Sequence, residues 1–287
     1  MTNVLICGLG AIGSIYADKF GNNAKILVDK ERLEEYNKNS TFYNGKKMQL
    51  YYVLPNESNY KADLIIIATK FNALNSVIEN IENFVTKDTI IISLINGISS
   101  EKILRKKYNN VLTSFYIGHS AIRKNREIVH DEVNKIIFGP KNTKLQKIFD
   151  AANINYEISN DIEHAMWAKF MFNNSVNQIS AVYNANFGDL IENHLNLINK
   201  LMNEVELIAK AEKINSAENL KNEALEMLYS MNKDDKTSML QDIMAKRKTE
   251  FDILAGEIIN LGFKHNIPTP YNKFIKEQIE TIEAAFD

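Results

Sequence analysis

Two apolar runs restrict this chain more than anything else in it: Asp63-Leu-Ile-Ile-Ile-Ala68 and Thr89-Ile-Ile-Ile-Ser-Leu94. Each is a nearly unbroken block of β-branched and leucine side chains, with no polar alternation. A strand with that pattern has no face for water, so it belongs inside a parallel sheet covered on both sides. Asn3-Val-Leu-Ile-Cys7 and Ala24-Lys-Ile-Leu-Val28 read as further strands, and helical patterns at about 11–20, from Glu31 and over 73–84 fall between them. Shorter strands are expected at 111–116, 127–130 and 135–138. Strand–helix alternation of this kind predicts an α/β domain, a Rossmann-type doubly wound parallel sheet.

The pattern changes after Asn153, where 153–160 reads as a last edge strand or connector. Beyond it come helical stretches near 161–184, 189–213, 216–231 and 239–262, and a fifth near 271–285 after Pro268 and Pro270. The expected organisation is residues 1–157 as a dinucleotide-binding domain and 158–287 as an all-helical C-terminal domain that carries substrate and catalysis.

Composition narrows the function. Lys+Arg 34 against Asp+Glu 36 leaves a net charge of −2, which argues against a nucleic-acid or membrane-surface partner. One cysteine, Cys7, excludes a disulfide framework and a cysteine-rich zinc site, and five scattered histidines suggest no metal. No export signal and no apolar run of membrane-spanning length is visible, so a cytoplasmic protein is expected.

Gly8-Leu9-Gly10-Ala11-Ile12-Gly13 follows the first strand and opens the first helix. In that context the glycines serve a tight turn, a close backbone approach to a pyrophosphate, and helix–strand packing. The helix N-terminus adds partial positive charge for the phosphates. At the end of the second strand Asp29 stands where a carboxylate would bond the ribose of NAD, while Lys30 and Arg32 suit the 2′-phosphate of NADP; simple helix capping accounts for all three equally well. Ala68-Thr69-Lys70 and Ile95-Asn96-Gly97 close two more strands at the edge where open α/β sheets bind ligands.

Two anomalies mark the helical half. Lys169, Asn173 and Asn177 stand at i, i+4 and i+8 among Phe170, Met171, Phe172, Val176 and Ile179, forming one polar ridge on an apolar helix. Such a ridge suggests a wet cleft crossing a buried helix. Glu250 shares a predicted helical face with Ile243, Leu254, Ile258 and Leu261, so its carboxylate needs a partner or a function. Arg247 offers an intrahelical ion pair, and Ser238-Met-Leu-Gln241 fits a capping box that explains Ser238 without function. Asp242 in the first turn suits the helix dipole.

Five segments in order resemble the ketopantoate reductase (2-dehydropantoate 2-reductase) family over essentially the whole chain. They are Gly8–Ser14, Ala68–Lys70, Leu94–Gly97, Trp167–Asn177 and, most specific, Ser238–Glu250. The resemblance implies a Rossmann domain joined to a helical one, and reduction of ketopantoate to pantoate with NADPH on the route to pantothenate and coenzyme A. It implies Lys169 as general acid, Glu250 as a carboxylate binding substrate and lysine, and Ser238 as a ligand of the substrate carboxylate. Asn173 and Asn177 would hold the substrate, Asn96 would place the lysine and the nicotinamide, and Lys70 would contact the cofactor. Lys30 falls about where the family often has an arginine for the 2′-phosphate, while Asp29 leaves NADH open. Two departures stand out: Gln178, where many members have proline, and Phe187, in a stretch where some carry a polar ligand.

The expected chemistry is an NAD(P)H-dependent oxidoreductase acting on a small 2-oxo acid in a cleft between the domains. The alternatives are a reductase of another 2-oxo or 3-hydroxy acid, or a noncatalytic dinucleotide-binding sensor. The long helices leave room for a homodimer.

Overall fold

A computed structural model describes residues 2–57, 59–118, 122–124, 126–130 and 133–286, with 122–124 described by their backbone. The chain divides into two compact units, Met1–Ile162 and Glu163–Asp287.

The first unit holds β1 (Val4–Cys7), β2 (Ala24–Leu27), β3 (Phe42–Tyr43), β4 (Lys46–Lys47), β5 (Tyr52–Val53), β6 (Leu64–Ile67) and β7 (Ile90–Ser93). It continues with β8 (Val111–Gly118), β9 (Ile122–Lys124), β10 (Glu127–Val129), β11 (Asn134–Gly139) and β12 (Tyr156–Ile158). Eight strands form one sheet in the order β12-β11-β8-β7-β6-β1-β2-β5. All neighbours run parallel except β8 and β11. The unbroken apolar runs occupy the centre as predicted: every residue of β1, β6 and β7 is buried. Strand order reverses between β1 and β6, which makes that junction the switch point of the doubly wound sheet.

Register decides where the loops emerge. Cys7 pairs with Leu27 and with Ile67, and Ile67 pairs with Ser93, so four strands stop at one level. The residues that follow, Gly8, Val28, Ala68 and Leu94, therefore leave from the same carboxyl edge.

A second, four-stranded sheet, β4-β3-β10-β9, was not foreseen apart from β10. Its strands are only two or three residues long and carry no periodic signal. The expected helix over 73–84 is shorter, Leu74–Asn80, flanked by 3-10 turns. The first unit also runs past the expected limit at 157, because β12 pairs with β11 through Ile158.

The second unit contains no strand among the described residues. The predicted helix over 161–184 is Ile162–Phe172 and Gln178–Tyr183, joined by one π turn at Asn173–Asn177. The predicted helix over 239–262 is wrong as a single element. It ends at Met244, and a new helix runs from Ala255 to His265. The stop is a Schellman arrangement: Lys246 takes φ 51°, its N–H donates to the Ile243 carbonyl, and the Arg247 N–H donates to the Asp242 carbonyl. A lysine fills the left-handed position usually given to glycine, so the sequence carries no stop signal. Glu250 is consequently not on a helical face with Ile243 and Leu254; it precedes the short 3-10 turn Phe251–Ile253.

No helix among the described residues is long and apolar enough to cross a membrane.

Candidate active site

At the carboxyl edge of the first unit, the glycine turn is built by three different constraints. Gly8 has φ +100°, and a Cβ there would lie 2.6 Å from the Ala68 carbonyl oxygen. Gly13 packs against the turn itself: its Cβ would sit 1.9 Å from the Gly8 oxygen. Gly10 is different. It has φ −78°, open to any residue, and its Cβ would meet nothing closer than the Ala68 oxygen at 4.0 Å. Folding does not require glycine at Gly10, whereas a phosphate lying on the loop would.

The helix that follows, Ala11–Phe20, has no side-chain cap and no acidic residue in its first turn. Its free N–H groups and positive dipole end therefore remain available to an anion. Leu9 is buried, and Ala11 and Ile12 are half-buried. These features fit a dinucleotide pyrophosphate held by Gly8 to Gly13. Thr69 adds a buried Oγ1 for which no protein partner is found among the described residues.

Lys70 is exposed just past β6, and Asn96 is half-buried past β7, ahead of Gly97 at φ +101°. Register thus brings the glycine turn, Lys70 and Asn96 to one edge. Past β2, Asp29 caps the helix Lys30–Lys38: its Oδ1 accepts the Arg32 N–H at 2.7 Å, and the Arg32 guanidinium lies 3.8 Å from Oδ2. Lys30 is exposed as the first helical residue. Capping is thus a structural role of Asp29, whose carboxylate has a cation already beside it.

Beneath Asn96 lies a feature that sequence reasoning missed. Ser93 and Ser100 share a hydrogen bond of 2.9 Å, and Ser100 donates to Glu101 Oε2 at 2.8 Å. Glu101 is 3% exposed, and burial pushes its pKa upward against the opposing pull of the Ser100 hydroxyl and the Arg105 charge. Burial likewise pushes the Cys7 thiol well up, which makes it inert.

In the second unit Lys169 is half-buried on the last turn before the π segment. Asn173 and Asn177, each 8% exposed, meet through Asn177 Nδ2 donating to Asn173 Oδ1 at 3.2 Å. Asn173 and Asn177 of the predicted ridge stay side by side, but within a π turn, a form frequent at functional sites. An i→i+5 turn has no sequence signature of its own: Asn173-Asn-Ser-Val-Asn177 is polar at four of five positions and reads equally well as ordinary helix.

Ser238 is exposed and is not the cap of its helix; Thr237 is, with its Oγ1 accepting the Leu240 N–H at 3.2 Å. Thr237 in turn donates to Ser180 Oγ at 3.0 Å, fixing the start of the Ser238–Met244 helix on the helix that carries Asn177 into Gln178. The capping-box reading of Ser238 was thus shifted by one hydroxyl, and Ser238 is released from that duty. Glu250 is half-buried, and the Arg247 proposed for it instead donates from Nε to Asp242 at 2.8 Å.

The open glycine turn and the uncapped helix behind it define a dinucleotide-binding protein. Two family models match in sequence order. "Ketopantoate reductase PanE/ApbA" matches residues 4–143, and "Ketopantoate reductase PanE/ApbA C terminal" matches residues 161–283. The 2-dehydropantoate 2-reductase of Aquifex aeolicus is 24% identical over 299 residues, covering 97% of this chain and 96% of its own. Among solved structures, a D-mandelate dehydrogenase with NADH and anilino(oxo)acetate superimposes with a TM-score of 0.87 at 22% identity, covering 99% of both chains. A dimeric ketopantoate reductase from Staphylococcus aureus gives 0.80 at 20% identity, covering 99% of this chain and 100% of that one. The chain belongs to the ketopantoate reductase family of nicotinamide-dependent oxidoreductases.

Proposed function

We propose that this chain reduces 2-dehydropantoate to pantoate with NADPH, and that the first unit binds the dinucleotide while the second supplies the acid. When bound, the reduced nicotinamide supplies a hydride to the carbonyl carbon. The proton for the resulting alkoxide comes from Lys169; a lysine ammonium, with a reference pKa of about 10.4, is far more acidic than that oxygen's conjugate acid. The net change is one hydride and one proton added across C=O, with the cofactor oxidised. Glu250 binds the substrate and steadies the ammonium, Asn173 and Asn177 bind the substrate without adding charge, and Ser238 receives the substrate carboxylate. Gly8 to Gly13 hold the pyrophosphate, Lys30 and Lys70 serve the phosphate side, and Asn96 orients the nicotinamide end.

The observation that carries this reading is the Asn173–Asn177 pair, buried and mutually bonded one turn beyond Lys169. Family membership supports the reaction type. The location in this reading is the cytoplasm, where reduced dinucleotides are regenerated. A homodimer is part of it, supported by the dimeric relative from Staphylococcus aureus.

A second reading, an aromatic or otherwise apolar 2-oxo acid, is favoured by one observation. Phe187 stacks at 6.4 Å on Phe172, the neighbour of Asn173, and is 7% exposed. The similarity to a D-mandelate dehydrogenase points the same way. The test is oxidation of NADPH and of NADH, measured separately, with ketopantoate, pyruvate and phenylglyoxylate. A kcat/KM highest for ketopantoate with NADPH supports the first reading, a preference for phenylglyoxylate supports the second, and tight dinucleotide binding with no turnover on any of them overturns both.

A further inference from the structure

Gln178 is fully buried on the helix that follows the π turn, and its amide is used at both ends. Its Nε2 donates to the Asn174 carbonyl at 2.6 Å, inside the π turn. Its Oε1 accepts the backbone N–H of Ala255 at 3.3 Å. Ala255 opens the helix Ala255–His265, whose N-cap residue Leu254 has no side chain able to serve it and takes the unusual φ −108°, ψ −91°. One side chain therefore ties the segment carrying Asn173 and Asn177 to the end of the segment that starts at Glu250.

The other side of the π turn is held as firmly. Asn174 Nδ2 donates to Asn272 Oδ1 at 2.9 Å. Asn272 itself is fixed by Glu204, which accepts from the Asn272 N–H, the Asn272 Nδ2 and the Tyr271 N–H at 2.7–3.0 Å. Asn174, Gln178 and Asn272 are fully buried, and Glu204 is 5% exposed. Each broken link in a polar chain buried this deeply leaves a further unsatisfied group in the core, which resists rearrangement. A π turn also displaces backbone groups from the ordinary ladder, and Gln178 donates to one carbonyl within it.

We propose that Gln178 is a positioning residue for the reduction: it sets Asn173 and Asn177 in register with the Glu250 segment, and so fixes the geometry in which the oxo acid is held. This rests on the reading of Asn173, Asn177 and Glu250 as substrate ligands. The reacting atoms never touch Gln178. It acts by making two backbone segments, 77 residues apart in sequence, a single rigid support.

The experiment measures KM and kcat for ketopantoate, and KM for NADPH, in Gln178→Met, Asn177→Ala and the double variant, with thermal midpoints alongside. Gln178→Met is expected to raise the ketopantoate KM about 10- to 100-fold, the range for sub-ångström to ångström misplacement of binding groups, with the NADPH KM within about twofold of wild type. In the Asn177→Ala background the same change is expected to add a smaller factor than it does alone, because one of the two groups it positions is gone. A Gln178→Met enzyme with lowered thermal midpoint but unmoved ketopantoate KM overturns the proposal, as does full additivity in the double variant. If Asn177→Ala and Asn173→Ala leave the ketopantoate KM unchanged, the parent assignment of the substrate ligands fails instead. Should Gln178→Met not fold, Gln178→Glu, which keeps the acceptor for Ala255 and removes the amide donor to Asn174, carries the same KM comparison and the same two outcomes.

Discussion

Replacing Gly10 by alanine should separate binding from folding in a way that replacing its neighbours cannot. Alanine at Gly10 keeps an ordinary φ of −78°, and its methyl finds no atom closer than 4.0 Å. Stability then changes through two small opposing effects. The unfolded chain loses freedom, which favours the fold by about 0.4–1 kcal/mol. Alanine is a poorer N-cap than glycine, which costs about 0.5–1 kcal/mol. The net change should lie within about 1 kcal/mol of zero. A phosphate brought onto the loop meets that methyl directly, and a loss of about 1.4 kcal/mol or more, a tenfold or greater rise in Kd, is expected for NADPH. Gly13→Ala is the contrasting control. Its methyl would stand 1.9 Å from a backbone oxygen that cannot swing away, so overpacking should cost at least about 1–3 kcal/mol. Urea unfolding gives the first quantity, and titration of NADPH fluorescence the second. If Gly10→Ala binds NADPH as wild type does, the loop does not cradle a pyrophosphate. If Gly13→Ala unfolds at the wild-type urea midpoint, the packing argument fails as well.

Three further outcomes follow from the same structure. Lys169→Ala should lower kcat about 10²–10⁴-fold, as expected for loss of a general acid, with the Kd for NADPH unchanged; undiminished turnover by stopped-flow would remove Lys169 from the reaction. Asp29→Ser keeps a capping oxygen for Arg32 while removing the carboxylate, so the thermal midpoint should hold and the NADPH/NADH ratio of kcat/KM should rise; a constant ratio would restrict Asp29 to capping. Glu101 has a folded pKa raised by burial, so its contribution to stability is complete below the unfolded carboxyl pKa of about 4.3 and is lost as pH rises through the folded value. Glu101→Gln should therefore flatten the decline of thermal midpoint with rising pH in that window, and an unaltered slope in differential scanning calorimetry would contradict the assignment.

What could be read from the residues and what could not divide along physical lines. Strands β6 and β7 were evident because their side chains alone decide the matter: four consecutive apolar residues in β6 and three in β7 have nowhere to go but a sheet buried on both faces. The shared level of the glycine turn, Lys70 and Asn96 followed once the strands were placed. The stop after Met244 was hidden because Lys246 adopts a left-handed backbone without being glycine or asparagine, and its reward comes from two backbone bonds that no side-chain pattern announces. The π turn was hidden for a similar reason. Asn173 and Asn177, four residues apart, fit an ordinary helical spacing, and the polar Asn174 and Ser175 between them are buried as well, so nothing in the pattern separates a π turn from an α-helix. Gln178 stood out only as a departure from the proline that many family members carry; its two partners, at 174 and 255, are fixed by tertiary packing.

The common finishing line of β1, β2, β6 and β7 has an evolutionary corollary. A single-residue deletion within β6 would draw Thr69 and Lys70 back by about 3.3 Å and turn each to the opposite side of the pleat, so two errors would arrive together. Connections at the far, amino-terminal rim face no such penalty and can grow or shrink one residue at a time. Descendants of this scaffold should therefore differ in length along that rim while their central strands stay the same size, which leaves catalytic geometry insulated from most insertions.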